Sequence, residues 1–442
     1  MEHGIKAIRG QIFDFGQQAD ISNLKNHFRF IEDGMLVIED GKVLACGDFS
    51  EITRSYPNLG NIEDFSGCYI FPGFIDAHVH SVQSKAIASY GSQLLDWLDN
   101  HIFPNEARFE NPEYAFRHSE FFIDQLLKNG TTTAAVFPSV HPASAEAVFE
   151  ISARKNMRMI CGNTWMDQNA PGYLCRSVEQ SFDDSVRLIK KWHKKYRLHF
   201  ALTPRFALTS SPASLEAAKE VLNEFPEIYV QTHIAENKEE NDQVSNAHAS
   251  NSNYLNIYDS YGLLTERTLL GHGIYLSDEE LNRISETGAS IVHCPSSNLF
   301  LGSGLLNYRT ILNHDIQLAM GSDIGAGTSF SMLQNLGDAY KISSLLGIPM
   351  DPLQAFYFIT LGGARALRLE EKIGNFESGK EADFVVIDPS QNDLLNYRIT
   401  DATSIEDILF AIITLGDDRI VKSVYLMGEK YCSKIFENLK RK

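Results

Sequence analysis

The sequence predicts an α/β protein: a (β/α)8 TIM-like barrel with a small β-sandwich domain built from both chain ends. Three observations carry this. Eight short apolar runs of strand character follow one another between Cys68 and Gly325, and helix-like segments separate successive pairs of them. That alternation is the pattern of βα units around a parallel sheet, and eight is the barrel count. Short β-rich runs also recur near both ends of the chain, outside the alternating region.

In chain order, the first stretch contains GMLVIEDGKVLACGD, in which two β-rich runs flank the turn Glu39-Asp40-Gly41-Lys42. The barrel strands are then read in CYIFPGFIDAHVH, TTTAAVFPS, MRMICGNTW, LHFALTPRF, EIYVQTHIAE, TLLGHGIYL, ASIVHCPSS and IQLAMGSDIG. Segments such as SAEAVFEISARKN, SLEAAKEVLNEF and SDEELNRISETG read as the helices between them. After the helical LQAFYFITLGGARAL, the segments GKEADFVVIDPS and DRIVKSVYLMGEKYC read as strands again. Short sheets need partners to bury a face, so the two ends are expected to meet beside the barrel. The expected division is 1–67 and 371–442 for the small domain and 68–370 for the barrel. The polar stretch NKEENDQVSNAHASNSN at 237–253 reads as a solvated helix and loop.

Composition narrows the function. The chain has 442 residues, 43% hydrophobic and 22% charged, enough for one large core. Lys+Arg 39 against Asp+Glu 57 gives a formal net charge of −18, which opposes a phosphate backbone or an anionic membrane. Neither nucleic acid nor membrane is an expected partner. MEHGIKAIRGQIFDFG lacks a basic region followed by an apolar one, so a cytoplasmic address is expected. The six cysteines lack CxxC spacing and read as reduced, mostly buried small hydrophobes.

The chemistry-bearing residues cluster at strand ends. His78 and His80 close the first barrel strand, two apart and therefore on one face. His233 ends the fifth, His272 lies in the sixth and Asp323 ends the eighth. C-terminal strand ends converge on the face where barrel enzymes keep their active sites. Neutral imidazole and carboxylate suit a borderline divalent ion such as zinc, and three histidines with an aspartate suffice to hold one. His272 would be a further ligand or hydrogen-bond the water. Glu236, three residues beyond His233, is the candidate acid/base. A lone HxH would more simply be a satisfied structural pair, and the joint placement is what argues otherwise. His141 and His293 lie near strand ends and read as supporting or core residues. His118-Ser119-Glu120 matches half of a deaminase zinc signature, but no PCxxC follows.

PGFIDAHVH, THIAE, GHG, GSD and the tail segment GKEADFVVID together resemble the amidohydrolase superfamily of metal-dependent barrel hydrolases. Within it, SVQSKAIASYGSQLLDWLDNHIFPNEARF, LTPRFALTSS, HCPSSNLFLGSG and GSDIGAGTSFSML are most similar to the branch that deaminates guanine. The resemblance implies zinc, one ion per subunit with ferrous iron as the other fit, held by His78, His80, His233 and Asp323. It places His272 beside the activated water and makes Glu236 and Asp323 the proton carriers. Substrate positions would be Gln83, Trp97, Arg205 and Phe206, together with Glu236 and Asp323. The expected substrate is a purine, whose carbonyl and N7 accept hydrogen bonds and whose faces suit aromatic packing. A homodimer is also implied. The alternatives are another heterocycle, such as cytosine, an adenosine-type nucleoside or a triazine, and a catalytically inactive scaffold.

Overall fold

The computed structural model describes residues 4–90, 94–248 and 251–432. Residues 91–93 of the SVQSK segment and 249–250 of the polar stretch lie outside the described residues. The first four strands are β1 (Lys6–Phe15), β2 (Phe28–Glu39), β3 (Lys42–Asp48) and β4 (Ile62–Pro72). The barrel follows with β5 (Phe74–His80), β6 (Thr131–Phe137), β7 (Arg158–Cys161), β8 (Thr164–Trp165), β9 (Leu198–Pro204) and β10 (Tyr229–Ile234), then β11 (Thr268–His272), β12 (Ser290–His293) and β13 (Leu318–Met320). The tail adds β14 (Phe384–Ile387), β15 (Val421–Leu426) and β16 (Glu429–Lys430).

Two sheets result. The barrel sheet runs β5-β6-β7-β9-β10-β11-β12-β13 with parallel neighbours, and the short β8 pairs with β9. Ser322 and Asp323, just past β13, reach back to the first strand: the Asp323 N–H donates to the His78 carbonyl at 2.9 Å and the Ser322 N–H to Asp76 at 3.0 Å. The second sheet, ordered β16-β15-β14-β4-β1-β2-β3, draws strands from both chain ends. Its β2–β3 hairpin turns at Asp40 and Gly41 with φ of 51° and 77°, the pair of left-handed residues a tight two-residue turn requires. Ile8, Leu36, Phe65, Ile70, Phe384 and Tyr425 form a core on this sheet.

The run CYIFPGFIDAHVH is two strands, not one. It leaves the small sheet at Pro72 and enters the barrel at Phe74. Gly73 makes the crossing because a Cβ there would lie 2.0 Å from the Thr132 hydroxyl.

One end of the barrel is sealed. Ile75, Ala77, Ala135, Ile160, Tyr229 and Val292 share an interior cluster with Ala364, Leu367 and Ile373. Tyr229, at the start of β10, donates through its hydroxyl to the Leu367 carbonyl at 2.6 Å, so the segment after helix Leu361–Ala366 caps the N-terminal ends of the strands. At this end Arg197 Nη1 also donates to Asp383 at 2.8 and 2.9 Å and to Glu381 at 2.8 Å, tying the tail to the barrel. The opposite end, where the strands finish, is left for chemistry.

Candidate active site

At the C-terminal strand ends four histidines and an aspartate converge. Ligand atoms of His78, His233, His272 and Asp323 all lie within 4.8 Å of one another. His80 joins them: its Nε2 is 3.1 Å from His233 Nε2 and 3.2 Å from the Asp323 carboxylate. Every expected ligand is therefore in one place, and His272 stands equally close.

The backbone explains how β5 aims two histidines inward. The β5–β6 register shifts between Asp76 and Val79, so that Ala77 belongs to the interior cluster and Val79 to the outer core. Such a bulge swaps the faces that alternation would assign. His272 and Asp323 sit in the left-handed region at φ of 71° and 49°, as does Ala235 at 48°, just before Glu236. Non-glycine residues held there store strain, which concentrates at functional sites.

The donor set fits a divalent cation. His78 Nε2 and His272 Nε2 are buried with no hydrogen-bond partner, an arrangement that costs about 1–3 kcal/mol per group unless something satisfies it. His233 Nδ1 lies 2.7 Å from the Arg205 carbonyl, which can only accept, so the ring proton is on Nδ1 and the Nε2 lone pair is free. Burial pushes His233 well below the ordinary imidazole range and His272 down to about 3, keeping both neutral, His233 with a lone pair able to ligate and His272 with its proton on Nε2, opposite the Asn298 amide.

The two carboxylates are driven apart. Burial, and then the charge of Asp323, push Glu236 well above the usual carboxylate range, which favours its protonated form. Burial would also raise Asp323, but the facing imidazoles of His78 and His80 outweigh it and hold Asp323 well below that range. A carboxylic acid beside a carboxylate is the division of labour that general acid/base chemistry needs. Glu236 is also fixed in place: Ser303 Oγ donates to it at 2.8 Å, and its own N–H donates to Glu240 at 2.9 Å.

Above the cluster lies a small cavity, lined among others by Gln83, Trp97, Arg205, Phe206, Glu236 and Asp323. All the sequence-derived substrate positions thus border one space. Trp97 is anchored by its indole N–H to the Ser89 carbonyl at 3.1 Å.

Several residues at this site were not singled out in the sequence. Ser303 and Asn298 belong to the HCPSSNLFLGSG segment, where small polar residues just past a predicted strand end are the available signal. Asn298 Nδ2 lies 3.0 Å from His272 Nδ1. Glu240 falls in the stretch read as solvated, yet it is buried, and in helix Lys238–Ala247 it completes a capping box with Asn237. Glu106 is fully buried against Arg205. His293 ends β12 with both ring nitrogens buried and unpartnered, and His141 precedes helix Pro142–Lys155; neither belongs to the four-residue ligand group.

Close packing makes the ligands testable. A Cβ on Gly271 would lie 2.6 Å from His78 Cε1, so β11 is a wall against that ring. Gly271→Ala is expected to weaken metal binding by about 10–100-fold without unfolding the chain, as loss of support around a ligand typically does. Chelator competition measures this, and unchanged affinity would mean that β11 does not hold the ring.

A parallel barrel with a His/Asp cluster that could hold a cation, and a buried glutamate beside it at the C-terminal strand ends, has the build of a metal-dependent barrel hydrolase. The chain belongs to the amidohydrolase family, whose model matches residues 69–430. It is 46% identical over 428 residues to the guanine deaminase of Escherichia coli (strain K12), covering 97% of this chain and 98% of that protein. The solved E. coli guanine deaminase superposes with a TM-score of 0.95 at 45% identity, over 97% of this chain and 100% of that one. The guanine deaminase of C. acetobutylicum, solved with guanine bound in its active site, superposes at 0.88 and 31% identity over 97% and 100%.

Proposed function

We propose that this protein hydrolyses guanine to xanthine and ammonia. The observation that carries the reading is the meeting, in one cavity, of the cation cluster, an acid/base pair of carboxyl groups, and a wall of Arg205, Gln83 and Trp97 suited to a flat, carbonyl-bearing base. The guanine deaminase relatives, matched nearly end to end, support it.

A zinc ion held by His78, His80, His233 and Asp323 would supply a Lewis acid and a water that ionises near neutral pH. The chain's own residues do the rest. Trp97 and Phe206 pack on the flat purine, and Arg205 donates to O6. Glu236, holding a proton, passes it to ring nitrogen N3, which draws electron density from C2. Asp323, ionised, takes the proton of the water that adds at C2. With the Asn298 amide donating to Nδ1, His272 carries its proton on Nε2, 3.5 Å from Glu236 and 3.8 Å from Asp323, and steadies the attacking oxygen by hydrogen bonding. Asp323 then returns its proton to the amino group, the C2–N bond breaks to release ammonia, and the C2 hydroxyl gives its proton back to Glu236 as it becomes the xanthine carbonyl. Among the described residues no helix is long and apolar enough to cross a membrane. The reading extends to a cytoplasmic homodimer in purine catabolism and salvage, with the small domain running through β4 to the Gly73 crossing, five residues beyond the 67/68 division expected from the sequence, and resuming after 370.

The test is an ultraviolet assay of metal-quantified protein against guanine, adenine, cytosine and their nucleosides. Guanine turnover is expected, and cytosine turnover with none of guanine overturns the reading. Arg205→Ala should lower kcat/KM on guanine by about 10–200-fold, the cost of about 1–3 kcal/mol for an acceptor left unpaired in a buried site. It should also lower thermal stability, because Glu106 loses the cation it faces at 2.8 Å.

A further inference from the structure

The wall that would read the base is itself held by a residue with no contact to the cation cluster. Glu106, in helix Phe103–Ala107, is 0% exposed. Arg205 Nη1 donates to both of its carboxylate oxygens, at 2.8 and 2.9 Å. Gln83 Nε2 donates to one of them at 3.1 Å. Both donors are themselves buried and line the cavity. The helix is tied down in turn, since Ser139 Oγ donates to the Glu106 carbonyl at 3.2 Å.

This geometry has a chemical consequence. A primary amide can be turned by 180°, so an unrestrained glutamine offers a cavity either a donor or an acceptor. A carboxylate engaged by a guanidinium only accepts, so the Gln83 amide must point its NH2 at Glu106, which leaves the carbonyl Oε1 as the group it can offer a ligand. Arg205 Nη1 is engaged by the same carboxylate, which leaves Nη2 and Nε as the donors on offer. The wall therefore carries a donor beside an acceptor, in fixed order.

We propose that Glu106 is a positioning residue that sets the hydrogen-bond polarity of this wall, and thereby selects purines whose six-membered ring carries a carbonyl next to a ring N–H. Guanine and hypoxanthine present that edge as O6 and N1–H. Adenine presents the reverse, an amino donor beside a bare N1. The inference rests on the guanine reading above and deepens it: it names the residue that makes the site choose between the two kinds of purine.

Calorimetric binding of hypoxanthine and adenine to metal-loaded protein tests it without requiring turnover. The wild type is expected to prefer hypoxanthine by about 100-fold or more, the scale on which a site built for one hydrogen-bonding pattern rejects its reverse. In Glu106→Gln the Gln83 amide is freed, and the preference should fall at least tenfold, through weaker hypoxanthine binding with adenine held or improved. If both purines weaken equally, or the preference is unchanged, Glu106 only supports the fold and the proposal fails. Should Glu106→Gln not fold, Glu106→Asp keeps the charge but withdraws the carboxylate from one of its two donors. An intermediate preference is then expected, and an unchanged one overturns the proposal. Guanine turnover by the wild type separates the two layers. Its absence sinks the guanine reading, whereas its presence without a hypoxanthine preference sinks only the role given to Glu106.

Discussion

In Glu236→Gln protein, kcat on guanine is expected to fall by about 10²–10⁴-fold while the metal stays bound. The substitution is nearly isosteric, and the features that place this side chain survive it. The residue 236 N–H still donates to Glu240, Ser303 Oγ still finds a carbonyl oxygen, and Ala235 still makes the left-handed turn. What disappears is a transferable proton. Burial and the neighbouring Asp323 raise Glu236 well above the usual carboxylate range, so in the wild type it is the group able to hold a proton for N3. An amide can donate a hydrogen bond to N3 but cannot deliver the proton. KM should change little, because in the proposed mechanism the base is gripped at Arg205, Gln83 and Trp97, away from this transfer. Steady-state kinetics with metal analysis on the same sample gives the answer, and near-normal kcat would remove Glu236 from the mechanism.

Much of this site was visible in the sequence because it depends on position along strands. One rule, that parallel strand ends share a face, places His78, His80, His233, His272 and Asp323 together, and the structure brings their side chains within a few ångströms of one another. The reason given for the HxH pair was incomplete. Simple alternation put both on one face, but a register shift between Asp76 and Val79 sets which face, and no local pattern reports a bulge. The break at Gly73 was hidden similarly, since an apolar run reads the same whether its halves serve one sheet or two. Least legible were residues defined by distant partners. Glu106 lies 99 positions from Arg205, and Ser303 lies 67 from Glu236. Periodicity carries no information over such separations. Glu240 is hidden for the opposite reason: its charged neighbours suggest solvent, while Tyr254 and two backbone N–H groups satisfy its carboxylate in the interior.

Asp323→Asn should abolish both metal retention and turnover, the largest combined loss of any single change at this site. Asp323 is the anion that contacts three of the converging imidazoles, at 3.5 Å from His78, 3.2 Å from His80 and 3.8 Å from His272. Without it, a doubly charged ion would have to be held by neutral nitrogens with Glu236 protonated nearby. Affinity is expected to fall by more than the 10–100-fold typical of losses around a ligand. In the proposed mechanism the same residue takes the proton from water, so excess metal should refill the site before it restores the rate. Chelator-stripped wild type supplies the control. It should lose turnover and recover it on adding zinc, while Asp323→Asn does not. Stability should move with it: an ion that binds only the folded chain adds about 4 kcal/mol at a thousand times its Kd, so stripped wild type should unfold at lower denaturant than loaded protein, and Asp323→Asn should gain that stability only at much higher metal concentration. Full turnover by metal-free wild type would remove the ion from the reaction. If ferrous iron restored activity and zinc did not, the same residues would stand with a different metal, because three imidazoles and a carboxylate suit both.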